Sequence, residues 1–276
     1  MKIRTQQNRA RHLSHHCPMR LPRRTHTHTK ALALVTAVAC SSVAWSAPYE
    51  LRVYSDDIPK KDETEIELIV SAAKPKEAPD GPRGHVVQTL IEYGYGLGNG
   101  WSIGLELPMS HADGRYKLNG LKAEVQFVAQ HNAHQGMYWG LRGDLGYTST
   151  PYEIQGGNSL DINPILGYRW STWHIVVNPS IEIPLSGPNT KTQFQPSAKI
   201  AKQVTSMSQL GLEYFSAWGD LSSIRPQRQR DETLYVVWDK KLATSRWNLG
   251  LGKPLNPSGG SVDQWVVKIG ASLDLD

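Results

Sequence analysis

Cysteine is nearly absent: the 276 residues hold two, Cys17 and Cys40, and both precede Pro48. A chain processed beyond them has no disulfide and no thiolate metal site. Long apolar runs are also missing. After Ala47 nothing approaches the ~18 to 20 consecutive apolar residues of a membrane-spanning helix, so a bilayer would have to be crossed by strands. Acidic residues are missing from one region only. None of the twenty-five Asp and Glu precedes Pro48, whereas eight of the thirty Lys and Arg do (Lys2, Arg4, Arg9, Arg11, Arg20, Arg23, Arg24 and Lys30). The remainder carries twenty-two basic against twenty-five acidic residues, a net −3. The basic balance of the whole chain, net +5, therefore rests on the leader and is no nucleic-acid footprint, and nucleic acid is not an expected partner. With 39% hydrophobic and 20% charged residues, the chain is not of disordered composition either.

The acid-free leader has an order of its own. Residues 20–30 are basic, Ala31 to Ala39 are apolar, and Ser41 to Ala47 are small apart from Trp45, which is the plan of a secretory signal peptide. Cleavage after Ser46 places Ala44 and Ser46 at the −3 and −1 positions, giving a signal peptide over 1–46. An internal start at Met19 would give its basic region an ordinary length. A lipoprotein reading at Cys40 is weaker, because Ala37 stands where leucine is usual.

Beyond a polar, acidic segment at 47–63, apolar residues recur at period two almost to the end, which is the signal of strands with one apolar face. The spacing predicts twelve: 64–72, 86–96, 100–108, 120–130, 136–147, 159–170, 173–184, 193–203, 207–218, 232–240, 245–254 and 262–273. So high a strand content is unusual for a globular domain and ordinary for a closed barrel. Short and long connections alternate, as in outer-membrane barrels with short periplasmic turns and longer extracellular loops. Both chain ends then fall on the short-turn side, with 47–63 a short periplasmic N-terminal segment and 64–276 the barrel. Trp101, Trp139, Trp170, Trp173, Trp238 and Trp247 lie near short turns, and Trp218 and Trp265 near long loops, a pattern of two interfacial girdles. The competing architecture is a soluble β-sandwich. Pro164 and Pro179, inside predicted strands, and the Leu-Asp-Leu-Asp end without a terminal aromatic count against the barrel. The expected fold is all-β, a transmembrane antiparallel up-and-down barrel of about twelve strands.

Tyr49 to Val70 (YELRVYSDDIPKKDETEIELIV) and Gln88 to Pro108 (QTLIEYGYGLGNGWSIGLELP) resemble outer-membrane β-barrel proteins grouped with the meta-pathway of phenol degradation. The likeness is detailed at the start of the chain and elsewhere only a strand pattern. It implies a barrel for transport of small, often aromatic, compounds, and supplies no catalytic residue. Within it, Gly98, Asn99 and Gly100 suit the positive φ of a tight turn.

Candidate chemistry is sparse. His131 and His134 share a short turn, too few ligands for a specific metal site. His111 and Asp113 read as loop, with Asp113 beside Gly114 as turn chemistry. His174 lacks a serine two residues on, so a barrel hydrolase would want its nucleophile and orienting group. Arg225, Arg228 and Arg230 could contact lipopolysaccharide phosphates. The glycines at 94, 96, 98 and 100 do not space as a phosphate cradle. No catalytic residue, metal site or cofactor is expected.

The parity opposite the apolar face carries both signs of charge and assigns the lumen. Its candidates are Lys122, Glu124, Arg142, Asp144, Asp161, Asn163, Arg169, His174 and Glu182, with Glu92, Glu106, Gln126, Asn178, Glu213 and Lys268 beside them. A turn centred near Ala133 would set Lys122 opposite Asp144 and Glu124 opposite Arg142. Twelve strands enclose more than a filled eight-stranded barrel and less than a wide porin. The leading function is a narrow outer-membrane channel for passive passage of small solutes. The alternative is a closed structural or assembly barrel with an ion-paired lumen and interaction loops. Expected partners are outer-membrane lipid, lipopolysaccharide and small solutes.

Overall fold

The computed structural model describes residues 52–76, 84–129, 135–149, 156–256 and 265–275. The expected signal peptide, both cysteines and the His131/His134 turn lie outside them. Among the described residues there are fourteen strands: β1 (Thr64–Ala73), β2 (Val86–Gly98), β3 (Trp101–Ala112), β4 (Arg115–Leu118), β5 (Gly120–Ala129), β6 (Gly136–Thr148), β7 (Gly157–Trp170), β8 (Trp173–Pro184), β9 (Gln193–Thr205), β10 (Ser208–Ala217), β11 (Gly219–Asp220), β12 (Asp231–Lys241), β13 (Ser245–Pro254) and β14 (Val266–Leu275). Twelve of them form one ring of antiparallel neighbours, closed by β1 on β14 and by β9 on β10. The short β4 and β11 extend hairpins beyond it.

The alternating pattern has the sense opposite to a soluble protein. Ile66, Leu68, Ile103, Leu105, Val125, Leu141, Leu145, Val177, Leu212, Val236, Leu251 and Ile269 are exposed, while Glu92, Glu106, Glu124, Arg142, Asp144, Glu213 and Lys268 are buried. A soluble sandwich would bury the first set. A barrel in lipid turns it outward, where hydrocarbon replaces water as the solvent. Aromatic side chains collect at the short-turn rim: the Phe127 ring lies 4.8 Å from Trp101 and 5.6 Å from Trp139, and Trp170 stacks on Trp173 at 6.2 Å.

Four local outcomes depart from the sequence expectation or resolve it. Residues 109–119, expected as a loop, hold the end of β3 and all of β4, because Asp113 and Gly114 (φ +49° and +74°) make a two-residue hairpin turn. The last strand lies at Val266–Leu275 rather than 262–273, since pairing of Thr64 with Leu275 draws the terminal Leu-Asp-Leu into the ladder. At the β2–β3 turn, Gly98, Asn99 and Gly100 adopt the positive φ their sequence suits. The two strand prolines fall on one spot. The β7–β8 ladder pairs Ile162 with Ile181 and Leu166 with Val177, so Pro164 stands opposite Pro179 in an unpaired stretch. Two missing N–H donors thus cause a single interruption.

Candidate functional site: the barrel lumen

Residues 52–57, read from sequence within a periplasmic segment, fold back against the inner wall. Polar and acidic composition suits a solvated tail and a charged lumen equally. We call this stretch the strap. Its backbone is held at the proline interruption: Asn178 on β8 accepts from the Tyr54 amide at 2.8 Å and donates to the Tyr54 carbonyl at 3.0 Å. The same Asn178 amide nitrogen donates to the Pro164 carbonyl at 3.2 Å, an acceptor without its usual strand partner. The break in the sheet is thereby satisfied by a side chain that also anchors the strap. Further along, Asp56 pairs with Arg169, and Asp57 with Arg246 at 2.8 Å. Ile58 packs on Val128, Tyr138, Ile165 and Val176, an inward apolar patch of β5 to β8. The strap then turns into β1 beside β2, where the Gly96 amide donates to the Glu63 carbonyl at 3.0 Å. A Cβ at Gly96 would collide with the Lys60 backbone, so only glycine admits this approach.

Arg142 is the centre of the lumen, with no exposed surface. Its guanidinium meets Glu106 of β3 and Glu124 of β5, with Glu92 of β2 at 3.5 Å and Asp144 of its own strand at 2.8 Å. The Tyr54 ring covers it, 4.4 Å from the guanidinium carbon. Arg52 adds a second cation, 2.8 Å from Glu67 and 2.5 Å from Glu92. Glu92, Glu106 and Glu124 converge closely enough to surround a metal ion, yet the arginine already supplies the positive charge between them. The remaining sequence candidates are also on the inner parity. Lys122 pairs with Asp161, Asn163 donates to Asp144 at 2.8 Å, Tyr138 and His174 share a 2.6 Å hydrogen bond, and Glu182 accepts from Gln195 at 2.8 Å.

The register differs from expectation by one step of the pleat. Glu124 faces Asp144, Gln126 faces Arg142 and Lys122 faces Gly146, because the β5–β6 connection is centred one residue later than Ala133. A partner shift of two residues leaves every side chain on its own face. It does replace the expected opposite-charge pairs: Lys122 reaches Asp161 on β7, and Glu124 and Asp144 share Arg142.

A second charged group lines the opposite wall. Lys199 on β9 lies 2.8 Å from both Glu213 and Asp239, and Lys268 on β14 also pairs with Glu213. Gly250 leaves room for Lys268, whose Cε would lie 2.8 Å from an added Cβ. Arg246 joins Glu65 and Asp57 nearer the short turns. Lys199, Asp239, Arg246, Glu65, Glu67 and the whole strap escaped the sequence reading. Parity alone would have placed Glu65 and Glu67 inside, opposite Ile66 and Leu68, whereas nothing in the period marks the strap. Toward the long loops, the inward residues Ile69, Ala73, Phe215, Tyr235, Val237 and Val266 form a buried apolar cluster against strap residue Val53. Between the strap and the β9–β14 side lies a cavity of about 280 Å3.

No family model and no curated protein matches this chain. Solved structures do. An outer membrane channel from Pseudomonas putida F1 superposes with a TM-score of 0.61 at 10% identity, over 82% of this chain and 100% of the channel. The KdgM porin gives a TM-score of 0.50 at 13% identity, over 77% of this chain and 99% of the porin. The fold is that of a twelve-stranded outer-membrane β-barrel.

Proposed function

We propose that the protein is an outer-membrane channel for small solutes, narrowed by its own N-terminal strap. The supporting observation is a charged, polar lumen with a cavity left beside a strap that no covalent cross-link holds. The charged groups around the cavity, Lys199, Glu213, Asp239 and Arg246, suit a hydrated path, since an apolar filling would serve a purely structural barrel better, while the Arg142 group on the other wall is closed off beneath Tyr54. In this reading 1–46 is a cleaved signal peptide, the short turns are periplasmic, and 64–276 is the membrane domain. Outer-leaflet lipopolysaccharide is a partner of the long loops, where Arg228 is exposed beside Arg225 and Arg230. Small aromatic compounds are solutes to assay in this reading, on the resemblance of the N-terminal motifs to barrels of the phenol meta-pathway type. No hydrolytic role is proposed: His174 is engaged by Tyr138, a partner without a third orienting group in that pair.

Planar-bilayer recordings on the refolded protein test this. Discrete small openings are expected, with larger steps after deletion of 52–57. Silence of both the native and the strap-deleted protein would instead favour the closed structural barrel, a reading supported by the complete burial of Arg142.

A further inference from the structure

The cavity beside the strap is chemically unbalanced. Each carboxylate along it is already met by a cation: Asp57 and Glu65 by Arg246, Glu67 by Arg52, Glu213 by Lys199 and Lys268, and Asp239 by Lys199. Its mouth, at the short turns after β9 and β12, is different. Gln203, Ser206, Ser208, Gln209 and Lys241 line it, and their side chains have no hydrogen-bond or carboxylate partner among the described residues. Amide nitrogens, hydroxyls and an ammonium all donate, and Lys241 adds a positive charge that no acid of the wall offsets.

Shape restricts the occupant further. The space of about 280 Å3 is many times the ~10 to 15 Å3 that a single water needs, so it takes several waters, more than one inorganic ion fills. Val53, Ile69 and Met207 contribute apolar surface to the lining, suited to a short carbon skeleton. On the long-loop side Phe215, Tyr235 and Val266 are packed almost without exposure, so access is from the short turns.

We propose that this cavity is a binding site, entered from the short-turn face, for a small organic anion bearing carboxylate groups. One carboxylate of the ligand would meet Lys241 and the other the neighbouring amides and hydroxyls, with the short carbon chain against Met207. The site stands whether or not the barrel conducts.

Titration calorimetry of the refolded full barrel in detergent tests it, with succinate as probe and erythritol and inorganic phosphate as counterparts. Succinate should bind saturably. Lys241→Gln should weaken it at least tenfold, Lys241→Arg should retain it, and Arg115→Gln, the same charge lost from an exposed position on β4, should leave it unchanged. Gln209→Ala should weaken it independently of any change in charge. Heat-dependent gel mobility reports barrel closure for each variant before titration. Absence of saturable succinate binding by the native barrel would overturn the site. Binding of erythritol or phosphate as tight as that of succinate would overturn the assigned chemistry, and undiminished binding in closed Lys241→Gln barrels would overturn the assigned residue.

Discussion

Arg142 and Asn178 carry the lumen's organisation in different ways. Arg142 gathers carboxylates from four strands, so removing its charge leaves several acids facing one another without water. Arg142→Gln should therefore destabilise the refolded barrel by about 3–5 kcal/mol in denaturant titration. Loss of less than 1 kcal/mol would mean that water reaches these groups. A double-mutant cycle with Glu106→Gln should return a coupling of roughly 0.5–3 kcal/mol. Asn178 works through hydrogen bonds. Asn178→Ala removes two bonds to the strap backbone, one to Pro164 and one accepted from the Ser197 hydroxyl, and should cost about 1–3 kcal/mol while enlarging single-channel steps. Unchanged conductance would separate the strap from the conduction path.

At the scale of elements, each strand presents one face to lipid and one to the lumen, and the two faces tolerate different substitutions. Leu141 and Val177 lie within β6 and β8 on the exposed, apolar face. Replacing either with Arg should cost about 2–4 kcal/mol near the bilayer midplane. Tyr116→Arg, at an 81% exposed position on the short β4 hairpin, should cost little. Equal tolerance at all three would contradict the assigned facing. The opposed prolines of β7 and β8 show how an element can look wrong by a local rule and still belong. Each proline alone argues against a strand, but placed opposite one another they create one gap, and Asn178 fills it while binding the strap.

For the whole molecule, ring closure between β1 and β14 joins the first and last strands, so the barrel should migrate differently in gels before and after heating. Cell fractionation should recover it in the detergent-extracted outer membrane with Ala47 as the first residue. Recovery as a soluble periplasmic protein would exclude the membrane assignment. Truncation after Ala271 removes part of the β14 register with β1 and should abolish the heat-dependent shift.

The sequence by itself determined the number of strands in the ring and which residues share a face of each strand, because period two is a local property written in neighbouring residues such as Glu65, Ile66, Glu67 and Leu68. It also contained the Asp113-Gly114 turn, although that signal competed with the loop reading of 109–119. Parity placed Arg142, Glu124 and Asp144 on one face, yet could not assign partners, since a two-residue slip preserves every facing and changes every pair. The path of the strap was decided only by tertiary structure. Residues 52–57 have no period to reveal their position, and their polar composition satisfies water as well as it satisfies Asn178, Arg142, Arg169 and Arg246. What draws them inside is the charge and the broken ladder of strands far along the chain, a demand no local pattern records.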